Sequence, residues 1–151
     1  MVRTQEILIT ESKKGFIKKI RSKSSGQNYA DVFIYEPTNA EEGSLGNLYF
    51  VAELTDVSTD SSHLINLLIS SIRREYYAKP DQDSLESFEN SLKKTNAIIG
   101  DLVRGTDSKK NIECLNKLNC LCAVLHQNKI HFAKIGQFKL ILSRQGKPLD
   151  I

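Results

Sequence analysis

Two helical patterns lie next to each other in the middle of this chain, and strand patterns flank them on both sides. The first helix has apolar residues at helical spacing from Leu64 to Tyr76, after serines that can cap it. The second begins at Asp83, where Glu86 completes a capping box, and ends before Gly105. Strands separated by two consecutive helices predict an α+β domain, with the helices packed on an antiparallel sheet.

The apolar residues of the two helices predict the faces that contact the sheet. They are Leu64, Leu67, Leu68, Ile72 and Tyr76 in the first helix, and Leu85, Phe88, Leu92, Ile99, Leu102 and Val103 in the second. The first helix is expected to end before Pro80, because a residue that precedes proline avoids helical backbone angles.

The strand patterns fall into an N-terminal and a C-terminal group. Segments 5–9 and 15–20 predict a hairpin, and strands are expected at 29–35 and 48–52. After a polar, mobile connection at 106–111, strands are expected at 118–125, 130–135 and 138–142, with turns at 127–128 and 145–146. Apolar side chains on both faces of 48–52 predict a second layer beneath the sheet, most simply another sheet.

Length and composition indicate an ordinary globular protein. The chain has 151 residues, enough for one domain with its own core, and no apolar run long enough to cross a membrane. Polar residues interrupt the N-terminus, so no secretory signal is expected. Cys114, Cys120 and Cys122 fit small core residues in a reducing compartment rather than a disulfide framework. We therefore expect a cytoplasmic protein without a membrane partner.

Positive charge is concentrated near the N-terminus. A net charge of +3 does not itself predict a nucleic-acid partner. The basic segment could be a solvated hairpin or a site for anions, which an affinity that falls with salt would reveal. Its residues are Lys13, Lys14, Lys18, Lys19, Arg21 and Lys23.

Three stretches, in order, resemble the metal-dependent protein phosphatases of the PPM type, also called protein phosphatase 2C. LYFVAEL at 48–54 corresponds to the family's L-F-A-V-A-D-G, and FAKIGQFK at 132–139 corresponds to V-A-N-V-G-D-S-R. KTNAII at 94–99 is similar to A-N-x-x-I on the family's second helix. The resemblance covers residues 28–151, so the whole chain is interpreted as one domain with 1–27 as a hairpin or arm.

The resemblance implies a layered α-β-β-α sandwich, with two long helices packed on one face and a C-terminal part that is incomplete here. In the family, the aspartate of V-A-D-G bridges two metal ions, the next glycine carbonyl is a further ligand, and a bridging water attacks phosphorus. Paired ions suit this chemistry because they activate the water and hold both the attacking and the leaving oxygen.

The metal-site positions of the family are altered in this chain. Glu53 and Leu54 replace the aspartate and glycine, and the extra methylene of glutamate moves the carboxylate by more than about 1 Å, which spoils near-octahedral geometry. Asp56 lies in a loop that has lost its glycines, and Asp31 could echo an upstream metal motif together with Asn28. The family's later metal aspartates have no counterpart before Ile151.

These changes predict a catalytically inactive phosphatase-like domain, a pseudophosphatase that acts as a protein-binding or regulatory module without cofactors. A protein partner or a second copy could use the sheet edge left by missing C-terminal strands, since unpaired edges template strand pairing. One alternative is a divergent Ser/Thr phosphatase that uses Mg²⁺ or Mn²⁺ with ligands from a partner or from further sequence. Another is anionic-surface or nucleic-acid binding through the basic segment.

Overall fold

A computed structural model describes residues 9–12, 15–23, 29–55, 61–144 and 147–150, with side chains for 29–55 and 63–141. Six strands form one sheet in chain order, and every neighbouring pair is antiparallel. They are β1 (Ile9–Ser12), β2 (Gly15–Lys23), β3 (Tyr29–Glu36), β4 (Asn47–Leu54), β5 (Leu118–His126) and β6 (Lys129–Ile135). A separate hairpin follows, made of β7 (Ile141–Arg144) and β8 (Lys147–Asp150). The helices are α1 (Ala40–Gly43), α2 (Ser61–Tyr76), α3 (Ser84–Arg104) and α4 (Ser108–Asn116).

The two faces of the sheet differ in burial, because successive side chains of a strand point to opposite sides. On the side of α2 and α3, here called the helix face, Phe33, Phe50 and Cys122 follow one another across three strands and are almost fully buried. Residues of opposite parity form the outer face and are only partly buried or exposed. The main core therefore lies between the helix face and the helices.

The two long helices are joined by polar groups as well as by apolar packing. Ser71 on α2 and Thr95 on α3 are buried, and their hydroxyls are 3.1 Å apart. At the exposed rim of the same contact, Lys94 forms an ion pair with Glu75 at 2.5 Å, and this contact is the main reason that the pKa of Glu75 is lowered. The pair lets these two buried hydroxyls satisfy each other, whereas the buried hydroxyl of Ser87, also on α3, has no hydrogen-bond partner among the described residues.

Two tyrosines connect the end of α2 to the connection between β3 and β4. The Tyr76 hydroxyl donates to the carbonyl of Leu45 at 2.6 Å, and the Tyr77 hydroxyl donates to the carbonyl of Gly46 at 2.8 Å. Burial raises the pKa of both phenols, so both hydroxyls stay protonated and remain donors.

Most of the predicted elements are confirmed. Helix α3 begins after Asp83 and ends before Gly105, as its caps predicted, and the Asp83 carboxylate accepts hydrogen bonds from the amides of Leu85 and Glu86. Helix α2 ends at Tyr76, before Pro80 as expected, whereas the residues just before Ser61 lie outside the described residues. The turn at 127–128 is also confirmed, since both residues have positive φ and lie between β5 and β6. An N-terminal hairpin exists, formed by β1 and β2, and residues 5–8 of its predicted first strand lie outside the described residues. The predicted turn at 145–146 lies outside the described residues.

Other predictions were wrong. Much of the connection predicted at 106–111 belongs to α4, where Asn111 donates to the carbonyl of Leu102 and Cys114 packs on the core. The strand predicted at 138–142 begins only at Ile141. Leu85, predicted to face the sheet, is 43% exposed, and small hydroxyl residues take much of the buried face of α3.

The outer face is only partly buried in the described part of the chain. Among the described elements, the main contacts of α2 are with α3, β3 and β4, and β7 and β8 hydrogen-bond only with each other. The α+β class is therefore established, with helices on one side of an antiparallel sheet.

Candidate functional site

Asp31 and Glu53, which the resemblance relates to the metal site of the phosphatases, lie on opposite faces of the sheet. In the strand register Asp31 pairs with Ala52, and Glu53 pairs with Ala30, so the two acidic residues have opposite parity. Asp31 is fully buried on the helix face, where it accepts a hydrogen bond from the Tyr29 hydroxyl at 3.1 Å. The sheet itself separates the two carboxylates, so they cannot bind the same ion.

The remaining altered positions add no donor that the structure describes. Leu54 ends β4 with its side chain buried on the helix face, and Asp56 lies outside the described residues. Among the residues with described side chains, no group of three or more His, Cys, Asp or Glu could hold a metal ion. A two-metal centre needs several oxygen ligands converging on one point, and the described donors do not fit it.

Two cysteines and one histidine of β5 have different surroundings. Cys120 and Cys122 are buried free thiols, and burial raises the pKa of both. His126 instead lies beside the N-terminus of α3, with its Nδ1 atom 3.1 Å from the Ser84 hydroxyl. Cys120 and Cys122 therefore act as the small core residues that the sequence predicted.

Most of the basic segment lies on β2, which neighbours β3. Lys19 is the register partner of Phe33, Arg21 of Asp31, and Lys23 of Tyr29. Lys18 has the opposite parity and pairs with Ile34, whereas Lys13 and Lys14 lie outside the described residues. The strand thus places Lys19, Arg21 and Lys23 at positions on the helix side of the sheet.

A cleft of about 360 Å³ lies between the end of α2 and β3, near those register positions, and its lining includes Phe33, Arg73 and Arg74. The Arg73 guanidinium lies 4.0 Å from the centroid of the Tyr35 ring, a cation–π contact, while the Tyr35 hydroxyl donates to Glu42. Burial and then the Glu42 contact raise the pKa of Tyr35. The described lining of this cleft includes none of the six basic residues predicted as an anion site, and Glu42 offsets part of the positive charge of Arg73 and Arg74.

Strand β6 forms one edge of the sheet, and no described strand pairs with its free side. His126 and Lys129 close the two-residue turn, and such a closing pair exchanges both hydrogen bonds in this type of hairpin. Because hydrogen-bonded pairs alternate along an antiparallel ladder, the backbone groups of Ile130, Phe132 and Lys134 point away from β5. The edge therefore offers the N–H and C=O groups of three alternate residues to an added strand.

An apolar groove of about 230 Å³ lies beside this edge, between the helices α2 and α3 and the strands β4, β5 and β6. Leu92 and Ile99 line it from α3, and Ala133 and Ile135 line it from β6. Ile135 is 54% exposed, because the helices cover the central strands better than they cover β6. A strand that extended the sheet beyond β6 would place alternate side chains over this groove.

The sequence predicted an open sheet edge but not the groove beside it. Ala133 and Ile135 alternate in KIHFAKI, so their shared face was visible in the sequence. The positions of Leu92 and Ile99 depend on the angle at which α3 crosses the sheet, which no local pattern specifies.

Comparison of the chain with protein-family models, curated proteins and solved structures gives no match. None of the helices in the described part of the chain has the length and apolar character needed to cross a membrane.

Proposed function

We propose that this chain is a non-catalytic, PPM-phosphatase-like domain whose function is to bind an extended segment of another protein at the free edge of β6. The observation that carries the proposal is the coincidence of an unpaired edge with an apolar groove directly beside it. Main-chain hydrogen bonds to an added strand give affinity, and a pocket for alternate side chains gives specificity. The separation of Asp31 from Glu53 supports a role other than two-metal hydrolysis.

The chemistry of the edge defines the segment that it would bind. Strand β6 carries Lys129 and Lys134 and no acidic residue. The bound segment has medium-sized apolar residues at every second position, which enter the groove, and polar residues that include glutamate or aspartate between them. Electrostatic complementarity of this kind aligns the register of the added strand and excludes basic segments.

The first test uses a short synthetic peptide in which valine alternates with threonine and glutamate, and a scrambled peptide of the same composition. We expect only the alternating peptide to bind, with slower hydrogen exchange at the amides of Ile130, Phe132 and Lys134. Lys134→Pro removes one outward amide, so we expect about tenfold weaker binding from the lost hydrogen bond and the added ring. Calorimetric titration measures the affinity, and hydrogen exchange followed by NMR locates the binding site.

The matched control is Lys134→Ala, which removes the same side chain but keeps the amide, and it should bind within about threefold of the original chain. Ala133→Leu fills the groove without touching the outward amides and should also weaken binding. Equal affinity for the alternating and scrambled peptides, or equal losses for the alanine and proline variants, would disprove binding at this edge.

The second test addresses phosphatase activity. We expect no hydrolysis of p-nitrophenyl phosphate above the metal-only blank at any concentration of Mn²⁺ or Mg²⁺, because the described carboxylates do not converge. Glu53→Gln should therefore leave the rate unchanged, as should Glu36→Gln, a control at the opposite end of the sheet. Hydrolysis that Glu53→Gln abolishes and Glu36→Gln preserves would establish the divergent-phosphatase alternative instead.

A further inference from the structure

The cleft between the end of α2 and β3 contains a positive charge with which no described carboxylate pairs directly. The Arg73 guanidinium lies 4.0 Å from the centroid of the Tyr35 ring, and Arg73 is only partly exposed. Among the residues with described side chains, none forms an ion pair with Arg73. Glu42 accepts a hydrogen bond from the Tyr35 hydroxyl instead. A cation that is partly removed from water, with an aromatic ring as its main partner, favours the approach of an anion.

A second guanidinium, that of Arg74, also lines the cleft. Its Nε atom donates to one oxygen of Glu75 at 3.0 Å, and the other oxygen of Glu75 contacts Lys94. Because Arg74 and Lys94 share Glu75, these three residues carry one net positive charge, and Arg73 brings the total beside the cleft to two. Guanidinium donors match the oxygens of a phosphate group. A phosphate monoester carries a charge of about −1.5 to −2 near pH 7, so it balances these two charges.

The rest of the lining adds an apolar wall, a hydroxyl and one acceptor. Phe33 and Ile69 form the apolar wall, and Ser70 is exposed beside it. Glu42 uses one carboxylate oxygen for the Tyr35 hydroxyl and has a second that can accept from a ligand hydroxyl. The volume of about 360 Å³ lies at the lower end of the range of about 300–1,000 Å³ found for small-molecule sites. The lining therefore fits a ligand that combines one phosphate, sugar hydroxyls and a flat ring.

We propose that this cleft binds a ribonucleoside monophosphate. The phosphate accepts hydrogen bonds from Arg73 and Arg74, the base packs against the apolar wall, and a ribose hydroxyl donates to Glu42. A diphosphate or triphosphate would bring further negative charge close to Glu42, so the site selects the monophosphate. The cleft is independent of the edge site, because β3 and β6 are separated by β4 and β5 in the sheet.

The test is calorimetric titration of the whole chain with adenosine monophosphate (AMP), adenosine diphosphate (ADP), adenosine and inorganic phosphate. We expect AMP to bind with a dissociation constant on the order of 10–100 µM, as a ligand of this size does in a half-open site. Adenosine and inorganic phosphate should each bind at least about tenfold more weakly, because each lacks one half of the contacts. ADP should also bind at least about tenfold more weakly, and Glu42→Gln should narrow this difference to about threefold, since it removes the repulsive charge.

Three variants locate the binding in this cleft. Arg73→Gln removes the guanidinium and should weaken AMP binding at least about tenfold. Ser70→Leu fills the cleft from an exposed position on α2, where a larger side chain does not disturb the core, and should weaken binding as much.

The matched control is Lys79→Gln, which removes an exposed positive charge just after α2 but outside the lining, and it should bind AMP within about threefold of the original chain. Circular dichroism establishes that each variant is folded. The proposal is overturned if the original chain does not bind AMP below about 1 mM, or binds it no more tightly than inorganic phosphate or ADP. Equal losses for Arg73→Gln and Lys79→Gln would also overturn it.

Discussion

Phe50→Ala is expected to lower the free energy of unfolding by about 3–5 kcal/mol, the usual cost of truncating a buried aromatic side chain. Phe50 is 2% exposed and lies between Phe33 and Cys122 in the strand register, so neighbours on both sides lose contacts. Its side chain also lines the apolar groove, and truncation enlarges that space rather than letting it collapse. Urea unfolding followed by circular dichroism measures the change.

The control for this prediction is Leu85→Ala. Leu85 is 43% exposed in α3, so we expect a change within about 0.5 kcal/mol, where the small loss of burial is offset by the high helix propensity of alanine. If the two variants unfold at the same urea concentration, the sheet and α2 do not form the main core, and the assignment of the helix face is wrong.

Gly46→Ala is expected to lower the free energy of unfolding by at least about 2 kcal/mol, since two separate effects add. Gly46 has a φ of +83°, a conformation that residues with a Cβ atom rarely adopt. An added Cβ would also lie 2.2 Å from the carbonyl oxygen of Leu125, which belongs to the backbone and cannot move alone. The strain would displace the Gly46 carbonyl, which accepts a hydrogen bond from the Tyr77 hydroxyl.

Gly43→Ala is the matched control, three residues earlier in the same connection. An added Cβ at Gly43 meets nothing within 4 Å, and the residue belongs to the short helix α1. We therefore expect a neutral to slightly stabilising change of up to about 1 kcal/mol, because alanine reduces the freedom of the unfolded chain. Thermal unfolding of both variants separates this position effect from any general cost of replacing glycine; equal melting temperatures would contradict it.

The sequence predicted those parts of the fold that depend on local chemistry. The cap at Asp83 and the turn at Gln127 and Asn128 use side chains or backbone angles that act within a few residues, and both are confirmed. Helix α4 was missed because its first half is polar, while Cys114 and Leu115, which pack on the core, come at its end. Leu85 was misassigned because a helical pattern shows which residues share a face but not how far the sheet extends beneath that face.

The candidate site depends on relations between strands, which a single sequence does not specify. Asp31 and Glu53 are both acidic residues on neighbouring strands, and only the pairing register places them on opposite faces. A shift of one residue would have brought them to the same side. The sequence predicted that the sheet has a free edge, but only the order of the strands shows that β6 forms one.

The aromatic cluster at the end of α2 also gives the protein an internal spectroscopic reporter. The chain contains no tryptophan, so its near-ultraviolet absorption and emission come mainly from its five tyrosines. The Tyr77 ring contacts two of the others edge to face, with its centroid 5.1 Å from that of Tyr35 and 4.8 Å from that of Tyr76. Their coupled transitions make near-ultraviolet dichroism and phenol emission sensitive to the docking of α2 on the β3–β4 connection, without any attached label.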